Sequence, residues 1–169
     1  AYAPRLFFVY AHPCGDVLAS RGTTGKKELG ALRRKLLKGE CRCLDPLLFE
    51  KGFERLKAFA KKKKSGITPA LVHEYFLTQH NGVVLRVAKR KKDVKPAMCF
   101  IIPGLLLEVK AGNGKALTPF GYRSIKMGFA PNVKAGDLVS VHYNYACEKI
   151  PLDEFRRLWK EVCDYGRKN

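Results

Sequence analysis

The sequence has no uninterrupted apolar run near the roughly 20 residues needed to span a bilayer. The longest candidate, Phe100 to Val109, is broken by Pro103 and Gly104. Leu6 to Val9 is apolar but has no basic leader before it and no cleavage site after it, so no secretory signal is expected and the cytoplasm is the expected location. Carboxylates are scarce, with 15 acids against 33 Lys and Arg and a net charge of +18. No Ser/His/Asp order, glycine-rich phosphate loop or pair of close carboxylates stands out, so an enzyme is not expected. No two Cys pairs recur at finger spacing, and Cys41-Arg42-Cys43 leaves one residue between thiols where zinc knuckles use two to four. The six Cys are therefore expected as reduced thiols, and no resident metal or cofactor is expected.

What is present is basic charge, and it is uneven. Residues 1–97 carry 22 Lys and Arg against 8 acids, whereas residues 98–169 carry 11 against 7. A field this positive attracts polyanions. It gathers at Arg33, Arg34 and Lys35, at Lys61, Lys62, Lys63 and Lys64, and at Lys89, Arg90, Lys91, Lys92 and Lys95. Such clusters neutralise phosphates without reading sequence. They favour an RNA-binding protein, a ribosomal or ribosome-associated component with ribosomal RNA, and ribosomal proteins, as partners. Tyr122, Tyr143 and Tyr145 are candidates to stack on bases.

The residue pattern predicts two domains and an α+β fold: a basic helical bundle at 1–88, a basic linker at 89–97, and a small β-barrel with a C-terminal helix at 98–169. In the first, Pro13 should break a helix near Ala11-His12. A helix is expected from Lys26 to Lys38, stopped by Gly39. Asp45-Pro46 and Thr68-Pro69 are helix starts, each a capping side chain followed by Pro in the first turn. Asn81-Gly82 should end the last of these helices. Val83 to Val87 fits either a strand or a helical turn. In the second domain, Phe100 to Lys110 reads as a strand bent at Pro103-Gly104. Ala111 to Gly114 reads as a hairpin turn, and strands follow at Lys115–Phe120, Tyr122–Met127, Leu138–Tyr143 and Tyr145–Ile150. A helix from Pro151 to about Tyr165 should face Leu152, Phe155, Leu158, Trp159 and Val162 inward.

Met98-Cys99-Phe100-Ile101-Ile102-Pro103-Gly104, then Val133-Lys134-Ala135-Gly136-Asp137-Leu138-Val139-Ser140-Val141-His142, then Tyr145-Ala146-Cys147-Glu148-Lys149-Ile150 follow one another in the order and spacing of a known family. This region, to about Val162, resembles the HypC/HupF family of small [NiFe]-hydrogenase maturation chaperones; residues before it carry no such resemblance. The resemblance implies an OB-like barrel. It also implies the alternative function: a chaperone whose Cys99, with His142, carries a transient iron–cyanide–carbonyl unit between a HypD-like partner and the hydrogenase large-subunit precursor. A thiolate suits such soft low-spin iron. In the family this Cys follows the initiator Met, which is removed. Here Cys99 has a peptide bond on its amino side, so it is expected as a small apolar residue at the barrel mouth, and His142 as a hydrogen-bonded strand histidine. His12, His73 and His80 lack partners at ligand spacing and read as core or helix-face residues. The charge makes RNA binding the leading expectation and the chaperone the alternative.

Overall fold

The computed structural model describes residues 3–20, 22, 25–40, 46–90 and 95–168. The chain divides into two compact units, 1–79 and 80–169. No helix among the described residues is long and apolar enough to cross a membrane.

The first unit contains α1 (Ala3–Ala11), α2 (Gly15–Ser20), α3 (Lys26–Lys38), α4 (Glu50–Lys62) and α5 (Pro69–Thr78). As the sequence predicts, Pro13 ends α1, and a single 3-10 turn, His12–Cys14, leads into α2. Gly39 caps α3 in the left-handed region at φ 74°. The Thr68 hydroxyl accepts the Leu71 amide at 3.2 Å, which opens α5. Asp45 lies outside the described residues, but Pro46 does begin a 3-10 turn, Pro46–Phe49, ahead of α4. An aromatic cluster fills the interior. Phe7 meets Phe8, Phe49, Phe53 and Phe76, and the Tyr10 ring stacks on Phe76 at 4.5 Å.

The second unit begins with α6 (His80–Ala88) and the short α7 (Pro96–Cys99), followed by β1 (Ile101–Lys110), β2 (Asn113–Thr118), β3 (Gly121–Lys126), β4 (Leu138–His142), β5 (Tyr145–Lys149) and α8 (Leu152–Lys168). The five strands close into a barrel in the order β1-β2-β3-β5-β4. β1 to β2 is a two-residue turn with Ala111 and Gly112 both at positive φ, the geometry that matches strand twist. Closure is slight: β3 and β5 run parallel and meet at one residue pair, Lys126 and Tyr145. The interior is packed with Phe100, Ile102, Leu106, Ala116, Ile125, Met127, Val139, Val141 and Ala146, with Val84 of α6 and Val162 of α8 joining them.

Four expectations change. Asn81-Gly82 does not end a helix; it lies in the first turn of α6, and Val83 to Val87 are helical. Residues 80–88, expected within the first domain, fall in the second compact unit, where Val84 and Leu85 of α6 pack on the barrel core. β1 runs straight through Pro103-Gly104, both paired with β4, and its register shifts instead between Leu106 and Glu108. There Leu106 turns its backbone to the β3–β4 loop, accepting from Gly136 at 2.8 Å and donating to Asp137 at 3.0 Å. Leu152, in the first turn of α8, is exposed, while Leu158 and Val162 carry the inner face.

Candidate thiol and imidazole site at the barrel end

β1 and β4 pair with Ile101 opposite His142, so the residues around them share one end of the barrel. Cys99 ends α7, two residues before this pair. Its thiol is half-buried, packs on the edge of the core, and lies 3.0 Å from the Tyr143 hydroxyl. Tyr143 sits at positive φ in the tight turn between β4 and β5. The turn thus holds its ring beside both the thiol and His142, whose ring centre is 5.1 Å from that of Tyr143. His142 is fully buried on β4. Cys99 thus stands at the barrel mouth, as expected, packed against the edge of the core, and has a polar neighbour there.

His80, expected as a bystander, is the residue that sequence reasoning missed. Its ring meets His142 edge-on, with centres 5.1 Å apart and planes at 75°. The next residue explains the placement. Asn81 is buried, and its carboxamide accepts from the Ile101 amide at 2.8 Å and donates to the Ile101 carbonyl at 3.0 Å. Burial raises the carboxyl of Glu161 in α8 above its ordinary value, while the nearby Asn81 carboxamide and Arg157 oppose that rise.

Chemically, the barrel end offers two imidazoles whose ligating nitrogens lie within 4.8 Å of each other and, apart from them, the Cys99 thiol beside the Tyr143 hydroxyl.

The basic residues are differently placed. Arg33 is engaged, donating through Nε to His12 at 3.0 Å. Arg34 is exposed and Lys35 half-buried on α3. Lys61, Lys62, Lys63 and Lys64 are all exposed at the end of α4, and Lys63 pairs with Glu74 at 2.5 Å. Lys89, Arg90 and Lys95 are exposed; Lys91 and Lys92 lie outside the described residues, as do Cys41 and Cys43. Of the three candidate stacking tyrosines, Tyr122 is exposed with Lys115 over its ring at 5.2 Å, while Tyr145 is buried against Phe129. No protein-family model matches the chain, and no curated protein matches it.

Proposed function

We propose that the chain acts as a metal-centre maturation chaperone, with Cys99 as the thiol donor that takes up an iron–cyanide–carbonyl unit and His142 as its imidazole neighbour. One observation carries this reading. The Cys99 thiol is at the barrel rim, 3.0 Å from a hydroxyl, at the end where His142 also stands. A thiol serving only to fill a core needs neither partial exposure nor a polar neighbour. The HypC/HupF resemblance supports the same assignment and adds the expected partners, a HypD-like donor and a hydrogenase large-subunit precursor, in the cytoplasm. The iron unit is cargo, delivered and released. The chain's own work is to present the thiol, shield it on the barrel side, and hold the phenol beside it. Because the Cys99 amide lies within α7, only the sulfur is offered. The test is infrared spectroscopy of protein recovered from cells that make the iron unit. Cyanide and carbonyl bands are expected on the full chain and absent from Cys99→Ser. A full chain that never carries these bands, or a Cys99→Ser variant that keeps them, overturns the reading.

A second reading, RNA binding, has its own observation. The lysines at the end of α4 are exposed, and Lys63 alone among the described residues of that run has a carboxylate partner. Arg34, Lys89, Arg90 and Lys95 add further exposed cations, and Tyr122 adds an exposed ring. These features suit phosphate neutralisation and base stacking on structured RNA such as ribosomal RNA. The two readings are compatible, because they use different residues.

A further inference from the structure

We propose that the outer wall of the barrel carries a docking groove for an acidic amphipathic helix of a partner protein. The groove lies between α8 and the β1–β2 face, has a volume of about 370 Å³, and is lined by Leu105, Leu117, Phe155, Arg156, Trp159 and Lys160. Two apolar rows build it. Across the sheet, Leu105 pairs with Leu117 and Leu117 with Tyr122, so the three side chains share one face. Along α8, Leu152, Phe155 and Trp159 fall at i, i+3 and i+7, on one stripe. A different stripe, Leu158 and Val162, is the one buried at the core. Phe155 and Trp159 pack on each other, with ring centres 5.4 Å apart. Tyr122 and Leu152 are exposed and continue the two rows beyond the cavity, so the apolar surface is larger than the groove alone.

The rim selects the partner. Both polar residues of the lining are cations, and none of the six is a carboxylate. Arg157 is engaged with Glu161 at 3.5 Å, whereas Arg156 and Lys160 are exposed and make no ion pair among the described residues. Lys115 adds a third cation, over the Tyr122 ring at 5.2 Å. An apolar groove flanked by cations takes an apolar helix face flanked by acids. Side chains at i, i+3, i+4 and i+7 enter the groove, and carboxylates meet the rim. A second copy of this chain fits badly, since it too carries +18. RNA also fits badly, since its interfaces are more polar than a floor of Leu105 and Leu117. The groove uses neither Cys99 nor His142 and is independent of both readings above.

Trp159 is the only Trp of the chain, so its emission reports on the groove. The full-length chain is titrated with a capped peptide of about 18 residues, past the length at which isolated helices are marginal. One face of the peptide carries Leu and Phe, and the rest carries Glu. A twin has Ser in place of every Leu and Phe. The first peptide should shift Trp159 emission to shorter wavelength and saturate. The twin should bind at least about tenfold more weakly, because buried apolar anchors supply most of the energy of such an interface. Arg156→Glu combined with Lys160→Glu should weaken the first peptide at least about tenfold. These two reversals lower the net charge by 4, from +18 to +14, so a peptide held only by overall charge would keep its affinity. Both side chains are exposed, so the variant should fold, and the comparison with the twin needs no variant. No shift with the first peptide, equal binding of the twin, or undiminished affinity in the double variant overturns the inference. Ribosomal RNA that shifts Trp159 emission where the peptide does not makes this face an RNA surface, and overturns it as well.

Discussion

The Asn81 carboxamide brackets Ile101, accepting from its amide at 2.8 Å and donating to its carbonyl at 3.0 Å. Ile101 lies where β1 has already run past the end of β2, whose pairing with β1 starts at Leu105. The side chain thus stands in for the peptide group of a missing neighbouring strand. Both Ile101 groups are buried, so removing Asn81 strands a donor and an acceptor.

Asn81→Ala should cost about 2–6 kcal/mol, from roughly 1–3 kcal/mol for each of the two buried groups left unsatisfied. Urea titration of the full chain reads this as a lower midpoint at constant slope. A loss within about 0.5 kcal/mol, ordinary for a surface position, would contradict the bracket.

Asp137 sets an acid limb. Its carboxylate accepts from Lys149 at 2.7 Å and from the Lys134 amide at 3.0 Å, and the Lys149 bond is the main reason its pKa lies below the ordinary 3.8. A depressed folded-state value stabilises fully above the ordinary value and fades as pH falls through the folded one. The gap in melting temperature between the wild type and Asp137→Asn should be open at about pH 6 and narrow towards about pH 3. A gap indifferent to pH would show that the charge is not what matters.

Glu161 should behave in the opposite sense. Burial raises its folded-state carboxyl, so its ionisation works against the fold as pH rises through that value. Glu161→Gln should therefore become relatively more stable than wild type with rising pH. Thermal melts across the acid-to-neutral range check the direction.

Gly104 is held by space rather than by φ. A Cβ there would come within 3.1 Å of Val141 Cγ2 and 3.4 Å of Ala116 Cβ. Gly104→Ala should destabilise by about 1–3 kcal/mol, the usual cost of overpacking. Gly104→Ala paired with Val141→Ala should recover part of that loss, and no recovery would place the clash elsewhere.

The lysine run tests RNA binding. Lys63 is paired with Glu74, so Lys61, Lys62 and Lys64 are the available phosphate contacts. Replacing those three by Ala should weaken binding of the full chain to ribosomal RNA and flatten the salt slope by up to about 2–3 units, at roughly 0.7–0.9 per phosphate. Binding with no salt dependence would remove this reading.

Local chemistry made much of the fold legible. Pro13, Gly39, Thr68-Pro69 and Ala111-Gly112 each dictate backbone through their own φ preference or capping oxygen, and each stands where the sequence puts it. The strands followed from alternation. What misled was Asn81-Gly82, whose composition signals a stop while its tertiary role is to bond β1. Local pattern also placed the strand's bend at Pro103, whereas the irregularity arises at Leu106 from a loop that returns from far along the chain. Cys99 and His142 could be picked out in sequence order. The nearness of His80 to His142 could not, since no period or spacing encodes a contact made by a helix packing across the barrel end.

The barrel's single β3–β5 pair has a kinetic consequence. Beyond that pair, the seam is held by the Lys126 amide donating to Asn144 at 2.7 Å. Asn144 and Tyr143 form one turn, so the strand boundary with the fewest bonds is also the mount of the phenol beside Cys99. Breathing at this seam reaches the thiol's neighbour before it disturbs the long β1–β2 ladder. The Lys126 amide should accordingly exchange with deuterium well ahead of the amides bonded within the β1–β2 ladder. Loading or releasing cargo at Cys99 would then change the exchange rate at Lys126 first.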